Sequence, residues 1–161
     1  MRTSLLGSSF RRLVKPDYQH WEGVPKINIY FLRFLYTLMF VFLGKDAWTY
    51  IFTNTEVWEP RNAMAWSVWA SFSLLALLGI FHPLKMLPIL LLEISYKVIW
   101  LLIVAYPLWQ ADKLAGSPAE GMTVVFLPVF LPILFVPWRY VWRTYVLGAK
   151  PTIGVQSQSL L

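Results

Sequence analysis

The chain has 161 residues, of which 58% are hydrophobic and 14% charged, with a formal net charge of +6. Soluble domains average about 45–50% apolar and about 25% charged residues, so a soluble domain of this length has no core large enough for so much apolar surface. The absence of cysteine excludes disulfide frameworks, thiolate nucleophiles and Cys-ligated metal or haem centres. We therefore predict an integral membrane protein with no room for a soluble catalytic domain.

Four apolar runs, taken in chain order, predict four transmembrane helices. They cover residues 27–43, 63–81, 86–109 and 121–143. Each is long enough, or nearly so, to cross the hydrocarbon core at 1.5 Å per residue. Since irregular backbone cannot face lipid, helices are the only reasonable spanning form. The predicted fold is an all-α, integral membrane four-helix bundle formed by residues 27–147.

The segments outside these runs are short. Residues 1–26 are predicted to form a cytoplasmic N-terminal segment, with Leu6, Phe10, Leu13 and Val14 on one face of an interfacial amphipathic helix. A mitochondrial targeting peptide has the same composition, but the charge bias fits a bacterial inner membrane and favours the surface helix. The first outer loop, roughly 44–60, can hold a short amphipathic helix on the outer surface. The tail, 148–161, is predicted to be disordered and cytoplasmic.

Lysine and arginine are distributed unequally between the two sides of the predicted bundle. Nine lie in the N-terminal segment, in the second loop and in the C-terminal end from Arg139 onwards, and three lie in the opposite loops. Because cytoplasmic segments are enriched in Lys and Arg, both termini are predicted to be cytoplasmic. Tryptophan and tyrosine cluster at both predicted boundaries, as in an aromatic belt, although such rings can also stack on a ligand.

Apart from Arg139 and Arg143 at the cytoplasmic end of the fourth run, three charged residues lie inside the predicted spans: Arg33, Glu93 and Lys97. Placing such a residue at the centre of a membrane-spanning helix costs about 2.5–3.5 kcal/mol of insertion free energy, so these residues usually face a partner or a cavity. Arg33 and Glu93 are expected at similar depth and can pair, while Lys97 follows Glu93 by one helical turn. One interpretation is a structural network between the first and third helices, in which Arg33 can also snorkel to the headgroups. The other is a proton- or anion-handling site, since two cations face one acid.

Polar neighbours extend this cluster on both helices. Tyr30 and Thr37 share a stripe with Arg33 on the first helix, and Tyr96 and Trp100 adjoin Glu93 and Lys97 on the third. These seven residues are the candidate ligand-binding site or polar core.

Two further helices carry packing signals. In the second, Ala63, Ser67 and Ser71 recur every four residues and predict close approach by another helix. In the fourth, Pro128, Pro132 and Pro137 remove backbone hydrogen bonds and are expected to bend the helix.

Motifs for enzymatic chemistry are lacking in the sequence. Asp17, His20 and Glu22 offer metal-ligand types, but their spacing fits no recognised pattern, so no metal site is predicted. There is no phosphate-binding glycine loop and no Ser–His–acid arrangement. The sequence favours a non-enzymatic role and leaves catalytic residues unassigned.

The stretch Phe31 to Leu35, with Arg33 inside it, and the stretch Phe42 to Ala47 resemble the first helix of DoxX-like proteins. That family typically has an Arg within this helix and a Gly followed by Lys near its outer end. The resemblance implies a small four-helix membrane protein, and some members are associated with quinone-linked sulfur oxidation. This chain departs from the family in its Trp-rich outer loop, its Glu93 and Lys97, and its proline-rich last helix.

The leading functional hypothesis is a small accessory or scaffold protein of a bacterial inner membrane. It would contact the bilayer, other membrane subunits or further copies of itself, and bind a lipid-like or quinone-like molecule, but no nucleic acid. A transporter or channel for an anion or a proton is the second hypothesis, and a quinone-linked redox subunit is the third.

Overall fold

The computed structural model describes residues 13–148 and shows a mostly helical chain. Five helices lie in this range: α1 Lys26–Thr53, α2 Pro60–Phe81, α3 Leu87–Gln110, α4 Ala119–Phe135 and α5 Trp138–Val146. Two residue pairs, β1 (Pro16–Asp17) and β2 (Val24–Pro25), form a short antiparallel ladder before α1. The predicted disorder of the C-terminal tail, and most of the predicted N-terminal interfacial helix, fall outside the described residues.

Helices α1, α2 and α3 are each long and apolar enough to cross a membrane. They contain the first three predicted spans. The predicted fourth span, 121–143, is divided between α4 and α5, which meet at an angle of 73°. The prediction of a mostly helical chain with membrane-length apolar helices is therefore confirmed.

Helix α1 continues for ten residues beyond its predicted end at residue 43. The backbone stays helical through Gly44 and on to Thr53, where a separate loop helix was expected. Gly44 is buried against α2, and a Cβ placed on it would lie 3.3 Å from the Ser73 Cβ. Gly44 therefore lies in a close contact between two helices and not at the start of the predicted outer loop.

Prolines bend the fourth span as expected, and the sharpest break is at Pro137. Pro137 has no N–H to donate to the Ile133 carbonyl, and it disfavours helical geometry at Val136, which is extended. The Trp138 indole N–H donates to Ile133 O instead, at 2.7 Å. The side chain of Asn28 on α1 donates to the Phe135 carbonyl at 3.0 Å. The break is therefore satisfied by side-chain donors and held against α1.

Small residues line the contact between α1 and α2, but not at the predicted positions. Ser67 and Ser71 are exposed and Ala63 is half-buried, so the predicted ridge does not form this contact. The buried small residues of α2 recur every three positions instead: Ala70, Ser73, Ala76 and Gly79. Sequence spacing showed that α2 has small residues, but only packing selects which stripe is buried.

The tightest contact between these helices places the Tyr36 ring of α1 directly on Gly79 of α2. Tyr36 is fully buried, and its hydroxyl donates to the Pro83 carbonyl at 3.1 Å. The Tyr145 hydroxyl of α5 donates to the next carbonyl, Leu84 O, at 3.3 Å. Tyrosines from two helices thus fix the turn between α2 and α3.

The N-terminal ladder turns through Glu22 and Gly23, which both have positive φ angles of 53° and 83°. The backbone amide of His20 donates to the Asp17 carboxylate at 3.1 Å and lowers the pKa of that carboxyl. The Glu22 carboxylate accepts a hydrogen bond from Tyr140 of α5 at 3.1 Å. This turn therefore joins the start of α1 to α5.

We predict that Gly79→Ala destabilises the protein by about 1–3 kcal/mol, because the added methyl group must displace the Tyr36 ring. Gly121→Ala is the matched control, since a Cβ there meets nothing within 4 Å. It should be neutral or stabilising because alanine favours a helix. Thermal unfolding in detergent measures both; equal midpoints for the two variants would show that the contact adapts freely.

Candidate functional site

A cavity of about 560 Å³ lies between α1, α2, α3 and α4. Its walls are mainly aliphatic and aromatic, and its ionisable lining residues are Asp46, Glu93, Tyr96 and Lys97. The apolar walls come from three of these helices: Leu35, Leu38, Met39, Phe42 and Leu43 of α1, Trp66 and Trp69 of α2, and Met122, Val125, Phe126, Pro128, Val129, Leu131 and Pro132 of α4.

The polar side of the cavity is an ion pair within α3. Lys97 Nζ lies 2.5 Å from Glu93 Oε1, one helical turn away, and both side chains are largely buried, with exposed fractions of 16% and 9%. Taking both charges out of water is costly, and this pairing offsets the cost for each. The predicted contact between Glu93 and Lys97 is present in the structure.

Phe126 of α4 places Lys97 at the cavity wall. Its ring centroid is 5.6 Å from Lys97 Nζ, a cation–π distance. The same ring packs edge-on against Tyr96 at 5.6 Å and Trp100 at 5.1 Å. Tyr96 therefore serves both the cavity and the α3–α4 contact, whereas Trp100 does not line the cavity and acts through Phe126.

The other predicted members lie elsewhere. The Arg33 guanidinium lies over the Trp21 ring at 5.5 Å, and among residues 13–148 it forms no ion pair with Glu93. The Thr37 hydroxyl donates to its own helix, at Arg33 O, and Tyr30 is exposed. The predicted Arg33–Glu93 pair is thus absent. The prediction compared the depths of the two residues along their helices, but depth does not show which sides of the helices face each other.

Asp46 is a cavity residue that the sequence prediction missed. It was assigned to the outer loop, whereas it lies in the extended part of α1. Leu35, Met39, Phe42 and Asp46 follow one another at spacings of four, three and four, which is one helical face. Continuing the helix through Gly44 would have placed Asp46 beside the other lining residues.

A π-helical turn at Met39–Leu43 forms part of the same wall. Met39, Phe42 and Leu43 from this turn all line the cavity.

Two tryptophans of α2 form the aromatic part of the wall. Trp66 and Trp69 contact each other edge-on, with ring centroids 5.0 Å apart. Tyr50 near the end of α1 stacks on Trp66 at 4.1 Å and meets Trp58 edge-on at 5.7 Å. Tyr50, Trp58 and Trp66 thus pack together near the end of α1, and Trp66 also lines the cavity.

No protein-family model matches the chain, and neither the curated proteins nor the solved structures contain a significant match. The residues of the cavity itself are therefore the basis for assigning its chemistry.

We predict that Lys97→Met and Glu93→Gln each destabilise the protein, by about 3 kcal/mol, since either change leaves a polar or charged partner buried alone. The double variant should recover most of this loss, because no charge then remains unpaired. Denaturant titration in detergent measures the three variants. Losses that simply add in the double variant would show that the two side chains do not interact energetically.

Proposed function

We propose that this chain is a multi-pass membrane protein that binds an apolar molecule within the bilayer, in the cavity between α1 and α4. The observation that carries the proposal is a cavity of about 560 Å³ with apolar walls and a paired Glu93 and Lys97 on one side. Ligand pockets are typically 300–1,000 Å³, apolar, with a few convergent polar groups. A molecule with a large apolar part and a small polar group fits this chemistry.

The role that follows is accessory rather than catalytic. The ionisable residues of the cavity contain no nucleophile–base arrangement, and the pair they form has each charge satisfied by the other. We propose a small inner-membrane subunit that holds a lipid-like or quinone-like molecule and contacts other membrane proteins. The resemblance of the first helix to DoxX-like proteins agrees with a quinone as one such ligand.

Transport of an anion is less well supported than ligand binding. That hypothesis needed two cations against one acid, but Arg33 lies on Trp21 while Asp46 lines the cavity. The cavity thus has two acids and one cation, and Lys97 is already paired.

We predict that an uncharged long-chain alcohol with a photoreactive diazirine labels the cavity residues of the reconstituted protein, and that excess unlabelled alcohol prevents this. Val125→Trp should strongly reduce labelling, because Val125 lines the cavity and the indole fills it. Peptide mass spectrometry locates and quantifies the label.

Val124→Trp is the matched control. Val124 has the same exposure as its neighbour, 64% against 63%, on the same helix, but it is not a lining residue. Labelling that is insensitive to Val125→Trp, or equally sensitive to both variants, would overturn the proposed binding function.

The proposed topology, with both termini cytoplasmic, is tested by cysteine labelling, because the chain has no native cysteine. Thr55→Cys is in the loop between α1 and α2, and Ser157→Cys is in the C-terminal tail. A membrane-impermeant maleimide should label Thr55→Cys in intact bacterial cells, and Ser157→Cys only after lysis. The reverse pattern would invert the proposed orientation.

A further inference from the structure

The cavity is lined by two acidic side chains and one basic side chain. Glu93 and Lys97 neutralise each other at 2.5 Å. Asp46 is the remaining charge, and it forms no ion pair with any residue of the described range 13–148. The formal charge of the cavity is therefore negative by one unit.

Asp46 is placed where a charged group can enter. It is exposed and lies twenty residues into α1, about 30 Å from the start of that helix by helical rise. That distance equals the thickness of the hydrocarbon core, so a span that enters the membrane at Lys26 has Asp46 at the opposite polar boundary. Asp46 is near the end of α1 that leads into α2. Glu93 is only six residues into α3, and α3 begins at the other end of α2. The cavity thus extends from the membrane interior towards a charged rim.

The cavity that contains Asp46 also has aromatic lining residues. Phe42 and the two tryptophans, Trp66 and Trp69, share the cavity with this carboxylate. The face of an aromatic ring attracts a cation, most strongly in tryptophan. An anion would meet the Asp46 carboxylate, while the ammonium of Lys97 is already engaged by Glu93.

We infer that the cavity accepts a lipophilic organic cation, with its apolar groups against the apolar walls of α1 and α4 and its positive charge near Asp46. This inference rests on the proposed function and specifies its ligand class. It reverses the expectation of an anion, because Asp46 rather than Arg33 is the third charged residue of the site.

Tetraphenylphosphonium and tetraphenylborate provide a direct test, since they have four phenyl rings each and differ in the sign of their charge. Binding of each is measured by equilibrium dialysis to the full chain in phosphatidylcholine nanodiscs, with empty nanodiscs subtracting partition into lipid. Tetraphenylphosphonium should bind saturably and at least about tenfold more tightly than tetraphenylborate. No saturable phosphonium binding, or equal binding of both ions, would overturn the inference.

Asp46→Asn should bring the two affinities together by weakening phosphonium binding about tenfold, whereas Asp46→Glu should keep the preference. Asp112→Asn is the matched control, because it removes one exposed acidic charge outside the cavity and should leave the preference unchanged. An unchanged preference in Asp46→Asn, or an equal loss in Asp112→Asn, would show that Asp46 does not select the ligand. Thermal unfolding of each variant establishes that it is folded.

The uncharged photoprobe separates the two proposals. Cavity labelling by that probe without phosphonium selectivity would refute only the cation preference. No cavity labelling together with no phosphonium binding would refute the binding function as well.

Discussion

Close contact between α1 and α2 determines how the other helices are arranged. The Tyr36 ring lies on Gly79, and further along the pair Gly44 lies against Ser73, so the two backbones approach closely along much of their length. Within lipid, which is as apolar as the helix surface, such an association depends on close packing rather than on the hydrophobic effect. Trp48 adds a polar contact by donating to the Ser73 hydroxyl at 3.1 Å. With one face of α1 committed to α2, its adjacent face is turned towards α3 and α4 and forms the cavity wall.

The broken fourth span depends on the same helix. A carbonyl exposed by a break inside a membrane protein needs a donor from elsewhere in the molecule. Asn28 of α1 supplies one for Phe135, and the neighbouring Phe31 ring stacks on the Phe135 ring with centroids 3.7 Å apart. Beyond the break, the Arg143 guanidinium donates to the Glu22 carbonyl at 2.9 Å. These contacts hold α4, and with it Phe126, at the position where the cavity forms.

Prediction of the site succeeded where the relevant contacts are local. Glu93 and Lys97 are one helical turn apart, so their pairing needs only a helix. The bend at the prolines likewise follows from the missing N–H and the ring clash. Prediction was wrong for Arg33, because matching depths on two helices does not show which sides of them face each other. It was also wrong for Asp46, because the predicted span ended at residue 43 and Gly44 was placed at the start of the outer loop. A glycine in a membrane helix can equally mark a close contact, and only the position of Ser73 on the neighbouring helix distinguishes these meanings.

The low charge content and the high apolar content by themselves determined that the chain is helical with membrane-length helices, since the requirement to satisfy backbone hydrogen bonds in lipid leaves few alternatives. The cost of burying a charge likewise predicted that the ionisable residues within the helices need partners. Only the tertiary structure decided which small residues of α2 are buried and which three charges share the cavity. The physical reason is that rotation of one helix about its axis, which selects the buried face, is set by contacts with other helices. A sequence spreads its small and apolar residues over several faces of each helix, and packing selects one of them.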